Sequence, residues 1–228
     1  MAKSKHLTTN TIQTDEFVFI PGKTGSGKSV LARVYLSQFP RVVMLDTKAS
    51  SLRDIKKGKN PWQEVPPEKL AICTSFDSFQ QAIEEGIRSH LIYVPPHNEM
   101  NFESFNTFFE YCYELEDITI WVDEVYSVCP TPHTMPEYYQ AVLTRGRDRN
   151  VVTWSLTQRP KGIPSQILAQ STHFFVFNIV KPDDRKELYK VTGAPEMLVR
   201  PEDYNFWYWA DGMDNAIKAV LELKGGED

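Results

Sequence analysis

Residues 22–29 constrain this chain more than any other stretch. They read Gly22, Lys23, Thr24, Gly25, Ser26, Gly27, Lys28 and Ser29, a complete phosphate-binding loop of the form G-x-x-x-x-G-K-[ST]. Gly22, Gly25 and Gly27 let the backbone curl tightly, so that successive N–H groups point at the phosphates of a nucleotide. Lys28 can reach the β- and γ-phosphates, and the Ser29 hydroxyl can ligate Mg²⁺. The flanks supply the setting the loop requires. Residues 17–20 are a short apolar run suited to a buried strand, and residues 29–36 read as a helix. Phosphates would then sit at a helix N-terminus, where free amides and dipole favour an anion.

The rest of the chain continues this alternation. Apolar runs at 42–45, 70–73, 91–94, 118–122, 151–156 and 173–177 have strand character, with helical stretches between them. That is the mark of an α/β fold, a mostly parallel sheet covered by helices on both faces. Ser75 is placed to cap a helix over 76–87 and Asn101 one over 102–115, whose Phe105, Phe108, Phe109, Tyr111 and Cys112 read as a core face. With 228 residues, 41% hydrophobic and 24% charged, a single globular domain over 1–228 is expected. The formal net charge of −5 argues against a protein that coats nucleic acid indiscriminately, but leaves room for a small basic patch on DNA. Cys73, Cys112 and Cys129 show neither metal-ligand spacing nor a disulfide framework, and read as inert thiols of a reducing compartment. Residues 1–14 form a polar arm without the apolar core of a signal peptide or anchor, and no apolar run is long enough to span a bilayer.

Two stretches break the pattern. Residues 52–67 hold Lys56, Lys57, Gly58, Lys59, Pro61, Pro66 and Pro67, and read as an exposed loop with a basic tip, either solvated or in contact with DNA. Residues 201–223 carry an aromatic run at 205–209, then Asp211-Gly212, then an apolar run at 216–221. Asp-Gly between two such runs predicts a terminal antiparallel hairpin on the sheet edge, its aromatics packing the edge in preference to stacking bases.

The apolar run 118–122 ends in two carboxylates, Asp123 and Glu124, where a phosphate-loop enzyme carries its Walker B acid. Asp123 would hold the Mg²⁺ shell, and Glu124 would polarise the water that attacks the γ-phosphate. An acidic pair here points to hydrolysis in preference to phosphate transfer by a kinase. The run 151–156 leads into Thr157, Gln158, Arg159 and Pro160, so that Gln158 would emerge at the same sheet edge as Asp123. A neutral amide there can contact both γ-phosphate and water and report hydrolysis to the fold.

Arg145-Gly146-Arg147, a strand, and then Gln158-Arg159-Pro160 resemble the FtsK–HerA superfamily of DNA-pumping ATPases. Asp46-Thr47-Lys48 resembles the Asp-Pro-Lys element those proteins carry near the nucleotide, with Thr47 in the place of proline. The resemblance covers residues 17–188 through five motifs in order, and a bare motor of this length is similar to the genome-packaging ATPases of membrane-containing icosahedral viruses and phages. It implies a phosphate-loop NTPase fold of the RecA-like, additional-strand type, with Asp46 and Lys48 beside the nucleotide. It also implies a homo-oligomeric ring, usually a hexamer, with ATP and Mg²⁺ held between neighbours and an arginine supplied in trans. Arg147 and Arg145 rank ahead of Arg185 for that role. A central pore would hold double-stranded DNA through phosphate contacts alone. Residues 131–137 and the Lys56, Lys57, Lys59 tip are the pore candidates. The function so implied is a double-stranded DNA translocase that fills a preformed capsid, acting in the host cytoplasm and at the packaging vertex with capsid or portal proteins. The alternatives are a filamentous-phage assembly or conjugation-type motor, and, less favoured, a small-molecule kinase.

Overall fold

The structure, a computed structural model, describes residues 12–221. Short runs of Val, Ile, Phe and Trp build one nine-stranded sheet. Its strands are β1 (Val18–Pro21), β2 (Val42–Leu45), β3 (Leu70–Cys73), β4 (His90–Tyr93), β5 (Ile118–Val122), β6 (Val151–Thr157), β7 (His173–Val176), β8 (Asn205–Ala210) and β9 (Ile217–Val220). Helices α1 (Lys28–Leu36), α2 (Ser50–Lys56), α3 (Phe76–Glu85), α4 (Phe102–Leu115), α5 (Val125–Val128), α6 (Glu137–Arg145), α7 (Ser165–Gln170) and α8 (Pro182–Thr192) connect them. The order across the sheet is β3-β4-β2-β5-β6-β1-β7-β8-β9. β1 to β7 run parallel, whereas β8 is antiparallel to β7 and β9 to β8.

The parallel strands are apolar at nearly every position because both faces are covered. Alternate residues serve opposite layers. Phe19, Ile120 and Val122 join a layer with Phe79, Phe108, Phe109 and Tyr139, and Val18, Ile20 and Trp121 join one with Leu31, Tyr35 and Phe175. The expected helix starts hold. Ser75 and Ser78 form a reciprocal capping box on α3, and the Asn101 side chain accepts from the Ser104 N–H on α4. α3 stops at Glu85, short of the expected 87, because Gly86 turns left-handed at φ 66°.

Residues 52–67 depart from their reading as an exposed loop. Their first part lies in α2, and further on Trp62 is fully buried, meeting Trp121 edge-on at 5.3 Å and donating its indole N–H to the Arg33 carbonyl. Burying a side chain of that size contributes about 2–3 kcal/mol, enough to pin a segment that proline and lysine content marks as loop. Lys56, Lys57 and Lys59 do remain exposed. The hairpin forms, and Asp211-Gly212 occupies a turn closed by the Met213 N–H on the Ala210 carbonyl at 3.0 Å, but the last β8–β9 pair is Tyr208 with Ile217, so the whole connection is wider than two residues. Of the polar arm, residues 1–11 lie outside the described residues, and Ile12 is buried in the α1-side layer. Positions 222–223 of the expected hairpin also lie outside them.

Candidate active site

Parallel strands deliver their carboxyl ends to one edge of the sheet, and the chemistry-bearing motifs follow there. The phosphate loop leaves β1, Asp46 and Lys48 follow β2, Asp123 and Glu124 follow β5, and Gln158 follows β6. The Gly22 N–H bonds the Thr157 carbonyl and the Lys23 N–H bonds the Asn178 carbonyl, which stitches the loop to β6 and to the end of β7. Gly22 has no substitute: a Cβ would stand 2.6 Å from the Phe177 Cβ and 2.9 Å from the Ser26 Oγ. α1 begins at Lys28, so the free amides of its first turn border the loop.

Lys28 is buried and donates to the carbonyls of Gly22 at 2.6 Å and Lys23 at 3.0 Å. Burial pushes its pKa down to about 8; Glu124 and Asp123 pull upward and Lys48 adds to the lowering. The Ser26 hydroxyl is buried without a hydrogen-bond partner, an orphan donor inside an anion cradle. Thr24 and Gly25 form the exposed crest of the loop.

Asp123 and Glu124 are each 5% exposed. Asp123 accepts from the Ser29 hydroxyl at 3.0 Å through one oxygen and pairs with Lys48 at 3.4 Å through the other. Lys48 also reaches Glu124 at 3.1 Å, and the Gln158 amide donates to the same Glu124 oxygen at 3.0 Å. Thr47 thus leaves Lys48 where the acidic pair needs it. Burial raises the Asp123 pKa above the ordinary range despite Lys48, and for Lys48 the two carboxylates outweigh the desolvation that opposes them, so its pKa rises. Asp46 follows β2 at the same edge, close enough for its charge to act on Asp123, and its own carboxylate is turned to the backbone. Fully buried, its carboxylate accepts from the backbone N–H of Lys48, Ser50 and Ser51 and from the Ser50 hydroxyl. Those bonds saturate it, and it acts on the site by fixing the turn that carries Lys48.

The residues present fit Mg²⁺ and a triphosphate. Ser29 and Asp123 offer a hydroxyl and a carboxylate side by side, the hard-oxygen pair from which Mg²⁺ takes one or two ligands beside substrate phosphate oxygens and water. The unpartnered Ser26 hydroxyl, the Lys28 ammonium and the amides of the loop suit the phosphates.

The arginines are not brought to this edge. Arg145 ends α6 and Arg147 lies in the following turn, both before β6, so roughly 20 Å of strand separates them from Gln158. Gly146 between them has no room for a side chain: a Cβ would meet the Val151 carbonyl oxygen at 2.2 Å and that of Val142 at 2.4 Å. Arg147 holds the Asp15 carbonyl at 3.2 Å, and Arg145 makes no hydrogen bond or ion pair among the described residues. Arg149 is committed to the end of α4, through the Tyr113 carbonyl and ring and through Glu114 and Glu116. The lower-ranked Arg185 is spent as well, donating to the carbonyls of Ile179, Val180 and Leu198.

Sequence reasoning missed the far wall of the site. A cavity of about 450 Å³ runs from residues 25–30 to Phe177, Tyr204 and Leu221. Lys23 pairs with Asp203 at 3.0 Å, and Asn178 donates to that same carboxylate oxygen. Asn178 could have been marked as the polar residue two past β7 at the edge where β1, β5 and β6 deliver theirs; Tyr204 and Asp203 carry no such signal.

No protein-family model matches the chain. It is 26% identical over 214 residues to the DNA packaging ATPase P9 of Enterobacteria phage PRD1, covering 88% of this chain and 84% of that protein. Its fold matches the genome packaging NTPase B204 of Sulfolobus turreted icosahedral virus 2, solved with AMPPCP, at a TM-score of 0.70 and 14% identity, over 92% of this chain and all of that one. VirB4 of Thermoanaerobacter pseudethanolicus shares the fold at a TM-score of 0.58 and 12% identity, over 96% and 92% of the two chains. The resemblance drawn from the motifs to packaging ATPases of the FtsK–HerA type therefore holds, and with it the ATPase class and the phosphate-loop fold.

Proposed function

We propose that this ATPase couples ATP hydrolysis to the movement of double-stranded DNA into a preformed capsid. The observation that carries the reading is the convergence of Lys28, Ser29, Lys48, Asp123, Glu124 and Gln158 at one sheet edge, in a chain whose PRD1 relative is a DNA packaging ATPase. The loop amides and Lys28 hold the phosphates, and Ser29 with Asp123 holds Mg²⁺. Bound there, Mg²⁺ neutralises charge on the phosphate oxygens. Glu124 is the general base. Gln158 and Lys48 converge on one of its carboxylate oxygens and orient the base. Gln158 reports hydrolysis to β6, whose amino end carries the Arg145–Arg147 corner.

Arg145 and Arg147 cannot reach their own site and serve that of a neighbour in a ring, a hexamer on the family's pattern. DNA is held in the pore by phosphate contacts, with the exposed Lys56–Lys59 tip and the 131–137 loop as the lining candidates. Work takes place in the host cytoplasm and at the packaging vertex, with capsid or portal proteins as partners; among the described residues no helix is long and apolar enough to cross a membrane. The likeness to VirB4 is one of fold, whereas the likeness to the PRD1 protein extends to sequence, which favours packaging over conjugation. The test is ATP turnover with and without long duplex DNA. Stimulation by DNA irrespective of sequence is expected; absence of stimulation together with phosphate transfer to a nucleoside would make the protein a kinase.

A further inference from the structure

We propose that Tyr204 is the platform on which the base of the nucleotide stacks, held over the phosphate loop by an ion-paired strap. The assignment rests on the ATP reading of the loop and adds the part of the substrate that the loop does not contact. The cavity that starts at Gly25–Ser29 continues between Val30, Phe177, Tyr204 and Leu221. Beyond the phosphates, therefore, the walls are apolar and aromatic, the lining that suits a planar ring. Phe177 lies directly beneath the loop, its ring 3.3 Å from where a Gly27 Cβ would stand, and so is committed to packing. Tyr204 is not: it is 68% exposed.

The backbone of Tyr204 lies in a turn closed by the Asn205 N–H on the Glu202 carbonyl at 3.1 Å. Its φ is 63°, a left-handed conformation that bulky side chains rarely adopt. The residue before it, Asp203, is fixed across 180 positions of sequence: Lys23 Nζ reaches its carboxylate at 3.0 Å and Asn178 Nδ2 at 3.2 Å. Arg200 in turn donates to the Asn178 side-chain oxygen at 3.0 Å, and the Asn178 carbonyl accepts from the Lys23 N–H at 2.8 Å. One end of this strap is a phosphate-loop residue and the other is the neighbour of Tyr204. An unusual backbone conformation, secured by a network, presents an open aromatic face to the cavity beside the triphosphate cradle. Stacking is the interaction such a face makes with a nucleobase.

The experiment is calorimetric titration of the full chain, in the presence of Mg²⁺, with ATP and with inorganic tripolyphosphate, which carries the phosphates and no base. Tyr204→Ala is expected to weaken ATP binding by about tenfold or more, while tripolyphosphate binds as it does to the wild type. Tyr204→Phe, which keeps the ring, is expected to bind both ligands as the wild type does. Unchanged ATP affinity in Tyr204→Ala overturns the platform. So does an equal loss for both ligands, which would make Tyr204 a strut of the loop. A wild-type chain that binds neither ligand overturns the nucleotide reading itself, and the two failures are distinct.

Discussion

Binding of ATP should draw a proton from solvent above neutral pH, and Lys28 is the residue that takes it up. Its pKa stands at about 8 in place of 10.5 because burial penalises the ammonium more than Glu124 and Asp123 favour it. A triphosphate laid on the loop adds several negative charges beside that ammonium, and each unit by which the pKa recovers corresponds to about 1.4 kcal/mol of binding. At about pH 8.5 roughly a quarter of the free molecules carry the proton, so recovery to the ordinary value takes up about 0.7 proton per ATP bound. At about pH 6.5 Lys28 is charged in both states and contributes no uptake. The sign follows: the complex holds more protons than its parts, so affinity declines as pH rises above about 8. Titration calorimetry in buffers of different ionisation enthalpy reads the number directly, as the slope of binding heat against that enthalpy. Lys28→Arg, which keeps a permanent charge, should bind without this uptake at either pH. No uptake by the wild type at the higher pH, or the same uptake in Lys28→Arg, would refute the reasoning.

Further predictions concern the base, the buried acid, the arginine corner and the shared site. Glu124→Gln keeps ATP binding but slows turnover by about 10²–10⁴-fold in a phosphate-release assay; normal turnover would remove Glu124 as the base. Asp46→Ala strands the donors of Lys48, Ser50 and Ser51, and is expected to cost about 2–4 kcal/mol, seen as a melting temperature lower by about 4–16 °C. Melting like the wild type would mean that the turn carrying Lys48 does not depend on it. Gly146→Ala drives a methyl into the Val142 and Val151 carbonyls and should destabilise by about 2–4 kcal/mol, measured by urea denaturation. For the shared site, Lys28→Ala and Arg147→Ala proteins, each inactive, should recover partial ATPase activity on mixing; confirmed mixed assemblies without activity would exclude Arg147.

What could be read from the chain follows from how local each signal is. The half-buried edge strand β3 matches its apolar run. β2 and β5 also fall where their runs begin and end, because a strand buried at every position leaves charged residues only at its borders. The phosphate loop, the acidic pair and Gln158 were legible for a related reason: each directly follows such a strand, so parallel order alone places them at one edge. Trp62 was not legible, since the partners that bury it, Arg33 and Trp121, are distant in sequence. The partners of Asp46 were not legible, because an acid at a strand end can serve a ligand or its own turn equally well in sequence, and only the fold brings the Ser50 and Ser51 amides to it. Tyr204 was hidden most completely, because its place depends on the Lys23–Asp203 pair and on how the hairpin adds to β7.

If the arginine corner serves a neighbour's site, as proposed, its position limits how copies of this chain can assemble. The nucleotide cradle sits at one end of the parallel strands, and Arg145 and Arg147 sit at the other. A two-fold axis joins like surfaces, so a symmetric pair would oppose cradle to cradle or corner to corner and complete no site. Completion requires head-to-tail contact, in which each chain gives one surface and receives the other. Such contacts either close or propagate without end, and any open row leaves one cradle without a donor. On that proposal, closure is the only arrangement in which every ATP would meet a full set of charges, and the number of subunits would be a condition of catalysis as well as of the width of the pore.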